Sequence, residues 1–346
     1  MKGVPVQELV PGMVVAREVS TGSGVILLEP GARLTAAQIA NLQVWDVSHI
    51  YIETQQPSAA GPVNLTRAEF IEEYTKTIEA IKTIFEGIRE HRQIPIAGLQ
   101  AMVDETLVVL VNTVGVLYYL YEVREHSNYT FQHSINVAVV SGVLGNWLNY
   151  EAGSKNRLIL AGLLHDIGKL FIPLPILDKP GKLSHAEFEA VKKHPEEGHH
   201  LVKYADELPR DVKMGILQHH ERLDGSGYPF GFTGNEIHEY ARIVAVADIY
   251  DAMVSDRTYR KRLTPLLAAE KITDQMYRQL DTHVCLTFLN NIKNYFTGMS
   301  VLLSNGKQAK IIMLDQFWTK PLVQTDKGEL LDLRRGDVKI VDVLAT

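Results

Sequence analysis

The stretch "LLHDIGKLFIP", residues 163–173, places a histidine, an aspartate and a lysine directly after a run of apolar residues. The apolar run is typical of a core helix, and Gly168 indicates that the helix is disrupted where the polar residues begin. Neutral imidazole nitrogen and carboxylate oxygen are ligands that a catalytic divalent metal prefers. His165, Asp166 and Lys169 are therefore candidates for a functional site at the end of a buried helix.

Composition places the chain among ordinary soluble globular proteins. Its 346 residues suffice for two or three domains, and 46% are hydrophobic and 22% charged. The net charge of -6 disfavours binding to polymeric nucleic acid, which needs a basic surface. A single cysteine, Cys285, excludes an internal disulfide and fits a reducing compartment. Because the first residues also lack the apolar run of a signal peptide, we expect a cytoplasmic protein.

One apolar segment could be mistaken for a membrane span. Residues 106–121, "TLVVLVNTVGVLYYLY", carry no charge, but they are fewer than the ~20 residues that a span requires. Acidic residues flank the segment on both sides. We therefore predict a buried helix, or a helix that packs against a second subunit, and no membrane span.

Changes in composition divide the chain into five parts. Short β-rich runs broken by glycine and proline are found at both ends, a linker rich in proline, alanine and glycine follows the first of them, and helical patterns fill the middle. The predicted parts are a β-rich N-terminal module that is a candidate regulatory input (1–53), a linker (54–65), a helical connector (66–126), a helical domain (127–297) and a β-rich C-terminal extension (298–346).

Local signals predict where several helices begin. Thr66 with Glu69 and Ser184 with Glu187 match the capping-box spacing, and Thr264 precedes a proline suited to the first helical position. In the first of these helices, apolar residues recur at helical spacing up to about residue 89. They are Phe70, Tyr74, Ile78, Ile81 and Phe85.

A second adjacent pair, His219 and His220, opens the stretch "HHERLDGSGYP". Successive helical residues point ~100° apart, so such a pair can share a site only near a helix end or when it serves two metals. Single candidates come from other segments: His133, His194, and Asp248 on an apolar run where a carboxylate needs a partner. The pair "HH" at 199–200 has the same form, so spacing alone leaves the ligand set open.

These motifs together resemble the HD-GYP phosphodiesterases, a branch of the HD superfamily of metal-dependent phosphohydrolases. The similarity extends over about residues 129–260 and includes "HDIGK", "ILDKPGKLS", "KKHPEEG", "HHERLDGSGYP", "RIVAVADIYDAM" and "SDRTYR" in one order. The N-terminal "LVPGMVVAREV" and the C-terminal "GMSVLLSNGKQAKII" resemble modules that accompany such domains.

The resemblance implies a mainly α protein whose all-α HD-GYP helical domain holds divalent metals, usually iron or manganese. It implies a substrate, cyclic di-GMP or a related cyclic dinucleotide, and a contact between Lys169 and the scissile phosphate. By motif position, one metal would be held by His133, His165, Asp166 and Asp248, and the other by Asp166, His194, His219 and His220. The pair at 199–200 matches no ligand position of the family.

Two departures from the family pattern refine this expectation. Members with three metals carry a glutamate four residues before the first ligand histidine, where this chain has Tyr129. We therefore expect two metals and a linear product, pGpG, rather than full cleavage to GMP. The family's Phe-Asp-Pro near the last core helix is also absent, which we expect to affect packing more than chemistry.

The expected mechanism is attack on phosphorus by a hydroxide that bridges the two metals, while the metals and Lys169 offset the phosphoryl charge. Tyr228 is a candidate to stack on or hydrogen-bond the nucleotide or to contact a partner, and the alternative is that it packs within its loop. Arg257 and Arg260 are candidates to bind the second phosphate or a guanine edge, and the alternative for both is a solvated basic helix end. Arg222 is expected to be structural.

Two other functions compete with the phosphodiesterase. One is a catalytically weak sensor or interaction module that binds the dinucleotide or a diguanylate cyclase with a GGDEF domain. The other is an HD-type phosphohydrolase acting on a linear nucleotide, against which "DGSGYP" argues. The presence of every expected ligand of a two-metal site favours the enzyme. Residues 66–126 are a candidate dimerisation element for a homodimer.

Overall fold

The structure is a computed structural model, and its contacts divide the chain into two units, Met1–Gly61 and Pro62–Thr346, each considered by itself. It describes residues 2–6, 9, 13, 15–20, 26–28, 34, 42, 47–52, 62–123, 129–177, 179, 181–256, 262–314 and 320–344, with the backbone alone at positions 2, 20, 26, 129, 294 and 295.

The described part of the first unit is β-rich, as predicted. Strand β1 (Lys2–Pro5) pairs antiparallel with β4 (His49–Ile52), and β2 (Val19–Ser20) pairs antiparallel with β3 (Ile26–Leu28). Alternate residues of β4 point into a small apolar core, because side chains alternate between the two faces of a strand. Residues 35–45, "TAAQIANLQVW", have the sequence pattern of a small helix and lie outside the described residues, apart from one position.

The second unit is mainly helical, which confirms the predicted fold class. Its α-helices are α1 (Arg67–His91), α2 (Ile96–Met102), α3 (Val108–Val111), α4 (Val116–Glu122), α5 (Tyr129–Trp147), α6 (Ala152–Leu164), α7 (Leu174–Leu177), α8 (His185–Val191), α9 (His194–Val202), α10 (Arg210–Gln218), α11 (Glu239–Val254), α12 (Pro265–Gln275) and α13 (Thr282–Phe296).

Helix α1 begins where its capping box predicts. The Thr66 side chain accepts a hydrogen bond from the Glu69 backbone, and the Glu69 carboxylate accepts one in return from the Thr66 backbone. The helix ends at His91, and the next residue, Arg92, caps it with a left-handed backbone at φ of 54°. All five apolar residues predicted to share one face of α1 are buried, so this face packs into the core.

The uncharged segment at residues 106–121 is part of that core. Its first residues complete a π-helical turn (Val103–Leu107), and the rest form α3 and most of α4. Its buried residues include Leu110, Val116 and Leu117. The prediction of a buried helix is confirmed, with a break at Gly115 that divides it in two. Within the part of the chain that the structure describes, no helix is long and apolar enough to cross a membrane.

The C-terminal region contains the strands β5 (Ser300–Leu303), β6 (Gln308–Met313), β7 (Leu322–Thr325), β8 (Leu330–Asp332) and β9 (Ile340–Leu344). They form a five-stranded antiparallel sheet in the order β8-β7-β6-β5-β9. The "NG" dipeptide at residues 305–306 lies in the turn between β5 and β6, and Gly306 has φ of 79°.

Five helices surround the candidate site. Helix α6 packs against α5, α10 and α11, and α9 packs against α10 and the 3-10 helix Ile167–Phe171 that follows α6. Helices α5, α6 and α11 are apolar around most of their circumference, which is the pattern of helices buried in a core. The buried polar residues of these helices, such as His133, Asp248 and Asp251, therefore lie in a low-dielectric interior.

Candidate metal centre

The two adjacent pairs lie where helices end, as their sequences predict. His165 is the C-terminal cap of α6, and Asp166 is the residue that precedes the following 3-10 helix. His219 is the C-terminal cap of α10, and His220 lies in the turn after it. The change of backbone direction at each helix end allows neighbouring side chains to reach the same site, which a regular helix would prevent.

Gly168 permits the 3-10 helix to lie directly against the start of α9. A Cβ atom at position 168 would lie 1.9 Å from the carbonyl oxygen of His194 and 2.6 Å from the backbone nitrogen of Gly198. Only a residue without a side chain allows two backbones to approach this closely. The glycine of "HDIGK" therefore brings this motif to His194.

The Asp166 carboxylate lies at the centre of the site and is 3% exposed. Its Oδ1 is 3.1 Å from Nε2 of His194 and 3.8 Å from Nε2 of His219. Its Oδ2 is 3.4 Å from Nε2 of His133 and 3.3 Å from Nε2 of His165. Each oxygen thus faces a different pair of imidazoles, which is the arrangement that a carboxylate shared by two ions requires.

The side chains form two groups whose candidate ligand atoms lie within 4.8 Å of one another. One contains His133, His165 and Asp248, and the other contains Asp166, His194, His219 and His220. These are the seven residues that the resemblance assigned to two metals, with Asp166 adjacent to both groups. His199 and His200 belong to neither group, although they follow His194 on the same helix.

Backbone carbonyl groups fix the ring orientation of three of the histidines. The Nδ1–H groups of His165, His194 and His219 donate to the carbonyl oxygen three residues earlier in their own chain segments, at 2.7, 2.7 and 2.8 Å. A neutral imidazole that donates from Nδ1 carries its lone pair on Nε2. In each case, Nε2 is the atom that faces Asp166.

A metal fits this donor set. Nε2 of His165 and Oδ1 of Asp166 are buried atoms without a hydrogen-bond donor or acceptor partner among the described residues. Buried polar atoms are costly when they lack a partner, and an ion would provide one for both. Imidazole and carboxylate donors suit iron, manganese and zinc, so the donor set alone does not select among these metals.

Burial and charge favour the protonation states that bind metals. Burial lowers the pKa of His219 to about 4 and, together with the charges of His219 and His194, holds the pKa of His220 well below its usual value. Burial alone would raise the pKa of Asp166, but the neighbouring charges of His165 and Lys169 outweigh it, so that this pKa lies well below its usual range. Neutral imidazoles at His219 and His220 and an ionised carboxylate at Asp166 are therefore the stable forms near pH 7.

The fourth histidine is oriented by a side chain that the sequence analysis did not single out. Nδ1 of His133 lies 2.7 Å from Oδ2 of Asp251, and Nε2 of His133 lies 3.2 Å from Oδ1 of Asp248. Asp251 follows Asp248 by three residues, about one turn of α11, and is 3% exposed. A second carboxylate on so apolar a helix was a signal that could have identified it.

The "GSGYP" loop packs directly on the turn that carries the histidine pair. A Cβ at Gly227 would lie 2.4 Å from the backbone nitrogen of Arg222. The Glu221 carboxylate, 3% exposed, accepts hydrogen bonds from the backbone of Phe230 at 2.8 Å and of Phe232 at 3.0 Å. Glu221, which the sequence analysis did not identify, thus connects the histidine turn to the residues that follow the loop.

The loop brings Tyr228 to the edge of the site. Its ring centroid is 4.6 Å from that of His220, with an interplanar angle of 32°, and the Lys192 ammonium lies 5.8 Å from its centroid. Arg222 donates to the carbonyl oxygens of His219 and Glu221, consistent with its expected structural role.

Lys169 lies within the site, whereas two predicted substrate contacts cannot be located. Nζ of Lys169 is 2.5 Å from Oδ2 of Asp166, and its side chain is 25% exposed, so it connects the buried carboxylate with the solvent-facing side. Arg257 and Arg260 lie outside the described residues, and the Tyr129 side chain does as well.

Residues 122–284 match the HD domain family. A cyclic di-GMP phosphodiesterase of Pseudomonas aeruginosa is 34% identical over 67% of this chain and 56% of its own length. A 3'3'-cGAMP-specific phosphodiesterase of Vibrio cholerae is 36% identical over 49% of this chain and 36% of its own length. The chain thus spans about half or less of these relatives.

A likeness of fold also extends to the solved structure of an HDG"Y"P protein from Bdellovibrio bacteriovorus. The two superpose with a TM-score of 0.54 at 18% identity, over 84% of this chain and 98% of that one.

Proposed function

We propose that residues 122–284, which match the HD domain family, are an HD domain of the HD-GYP type, and that the protein is a metal-dependent phosphodiesterase that hydrolyses a cyclic dinucleotide. Curated relatives are phosphodiesterases for cyclic di-GMP and for 3'3'-cGAMP, which supports this substrate class. The observation that carries the proposal is the position of Asp166, whose two oxygens each face a different pair of imidazoles.

Two divalent ions, iron or manganese, would be held by the seven residues of the two groups. When bound, they would supply Lewis-acid neutralisation of the phosphodiester and a water acidic enough to react near neutral pH. We expect two ions rather than three, because Tyr129 stands where family members with three metals carry an additional glutamate.

The chain's own residues would bind and orient the substrate. Lys169 lies beside Asp166, and we propose that it offsets the charge of the scissile phosphate. Tyr228 presents an aromatic ring at the edge of the site, against which a guanine could stack. Arg257 and Arg260 remain proposed contacts for the second phosphate or a guanine edge.

Hydrolysis of one phosphodiester opens the ring. The oxygen of water forms a bond to phosphorus, the bond from phosphorus to the ribose O3′ breaks, and a proton passes to O3′. Cyclic di-GMP then gives linear pGpG, with one 5′-phosphate and one free 3′-hydroxyl. We propose that the reaction stops there.

Metal analysis paired with turnover tests the function. The purified protein is loaded with Mn²⁺ or Fe²⁺ and incubated with cyclic di-GMP or 3'3'-cGAMP, and the products are separated by chromatography. We expect two metal ions per chain and pGpG from cyclic di-GMP. Asp166→Ala should lose both metals and turnover, whereas His200→Ala, which removes an exposed histidine from α9, should retain both.

Three outcomes would contradict the proposal. An Asp166→Ala variant that remains active without metal would overturn the metal site. Tight binding of a cyclic dinucleotide by the metal-loaded protein without turnover would favour the sensor. Turnover of linear nucleotides alone would favour the other HD-type hydrolase.

The predicted association of residues 66–126 into a homodimer and the binding of a GGDEF diguanylate cyclase stay predictions, as do the boundaries of the five predicted parts. Light scattering after size-exclusion chromatography tests the first, and pull-down of a purified GGDEF domain tests the second.

A further inference from the structure

A buried chain of side-chain hydrogen bonds leads from α1 to the candidate metal centre. The Tyr74 hydroxyl donates to Oδ1 of Asn136 at 2.6 Å, and Nδ2 of Asn136 donates to Oδ1 of Asp251 at 2.7 Å. The other Asp251 oxygen, Oδ2, lies 2.7 Å from Nδ1 of His133. Tyr74, Asn136, Asp251 and His133 are between 1% and 6% exposed, so water does not compete for these bonds.

The donor and acceptor roles in these bonds fix the orientation of each side chain in the hydrogen-bond chain. The tyrosine hydroxyl donates, which orients the Asn136 amide so that its NH₂ group points toward Asp251. One oxygen of the Asp251 carboxylate, Oδ1, accepts from this amide and from the Ser255 hydroxyl at 3.0 Å, and the other, Oδ2, is left for the Nδ1–H of His133. The lone pair of His133 is then on Nε2, the atom that faces Asp166 and Asp248.

His133 differs in this respect from three other ligand histidines. Backbone carbonyls orient His165, His194 and His219, so their orientation follows from the path of the main chain. His133 lies within α5, where the backbone carbonyls are engaged in the helix, and its orientation depends on a carboxylate from α11. Its position is therefore sensitive to side chains far away in sequence.

We infer that Asp251 is a positioning residue for the ligand His133, and that Asn136 and Tyr74 complete a hydrogen-bond chain by which α1 controls the group of His133, His165 and Asp248. A carboxylate on the second nitrogen of a ligand histidine raises the basicity of the ring and holds its orientation. The inference rests on the proposed metal site but not on turnover.

The test measures metal binding at the two groups separately. Metal-free protein is titrated with Mn²⁺ by calorimetry, and free Mn²⁺ is followed by electron paramagnetic resonance. For Asp251→Asn we expect one of the two sites to weaken by about 10- to 100-fold, while the other retains its affinity. Tyr74→Phe, which removes one oxygen atom, should weaken the same site by less.

Tyr121→Phe is the matched control. Tyr121 is a buried residue whose hydroxyl donates to the Asp342 carboxylate at 2.9 Å. Neither Tyr121 nor Asp342 belongs to the two groups of candidate ligands. The control should cost stability, measured by denaturant unfolding of the metal-free protein, and leave both Mn²⁺ affinities unchanged. A general loss of packing would instead lower both affinities in Tyr74→Phe and Tyr121→Phe alike.

Unchanged affinity of both sites in Asp251→Asn would overturn the inference, and so would an equal weakening of both. If Asp251→Asn does not fold, Tyr74→Phe decides by the same criterion. Failure of the proposed function has a different signature: the wild type would bind two Mn²⁺ ions with the predicted sensitivity to Asp251 and Tyr74 but hydrolyse no cyclic dinucleotide.

Discussion

Gly168 lies so close to the carbonyl oxygen of His194 that a Cβ at position 168 would come within 1.9 Å of it. The contact joins the motif that carries Asp166 to the helix that begins with His194, and it sets the 3.1 Å separation between the Asp166 carboxylate and the His194 imidazole.

Gly168→Ala should therefore disrupt the centre and the fold around it. The obstacle is backbone, which cannot rotate away, so we expect a loss of about 3 kcal/mol or more in the free energy of unfolding. Metal content should fall with it. Gly87→Ala is the matched control, since nothing lies within 4 Å of a Cβ there. Gly87 lies inside α1, so the alanine should raise the free energy of unfolding by about 0.5–1 kcal/mol. Equal stability of the two variants in urea would refute the close approach.

Lys169→Met should show whether Lys169 neutralises the phosphoryl charge or helps to bind the metal. We expect kcat for the cyclic dinucleotide to fall by about 10²- to 10³-fold, because a donor near the developing phosphoryl charge is lost. The metal content should stay at the wild-type value. Lys193→Met, which removes an exposed lysine next to His194, should leave kcat unchanged. Loss of metal in Lys169→Met would instead show that the lysine serves to hold Asp166.

Glu221→Gln should loosen the "GSGYP" loop. One carboxylate oxygen is replaced by an NH₂ group that faces a backbone donor, at a cost of about 1–3 kcal/mol for the buried pair. Amide exchange of Phe230 and Phe232 should accelerate, and KM should rise more than kcat falls. Glu207→Gln, at an exposed position, should change neither quantity. Unaltered exchange at both phenylalanines would show that Glu221 does not hold the loop.

Glu187 should make stability depend on pH. Hydrogen bonds from Lys179 and Ser184 lower its pKa in the folded protein from 4.5 to about 2. Because the folded-state pKa is depressed, the carboxylate stabilises the fold fully above pH 4.5, and this contribution is lost as the pH falls from about 4.5 toward 2. The urea midpoint of Glu187→Gln should thus lie below that of the wild type at pH 7, and the difference should shrink at pH 3.5. Glu196→Gln, exposed on α9, provides the comparison; a difference that does not change with pH would contradict the assignment.

Much of the local structure followed from short-range patterns. The capping boxes at Thr66 and Ser184 begin helices where the spacing predicts, and the apolar face of α1 is buried. The pairs at His165 and His219 lie at helix ends as expected. These features depend on residues three or four apart, whose relative geometry a helix determines by itself.

Other parts of the site could not be predicted from local patterns. Asn136 lies 62 residues from Tyr74 and 115 from Asp251, and no pattern within one segment relates them. Glu221 stands beside a recognised pair, yet its role became visible only through the backbone of Phe230 and Phe232.

The sequence by itself determined which residue types could hold a metal, where their helices end, and, through the family resemblance, which seven residues were expected to meet. Only the tertiary structure decided that each oxygen of Asp166 faces a different pair of histidines and that a carboxylate from α11 orients His133. The physical reason is that helix periodicity acts over a few residues, whereas the convergence of distant side chains is set by how whole helices pack, down to a glycine that lets two backbones touch.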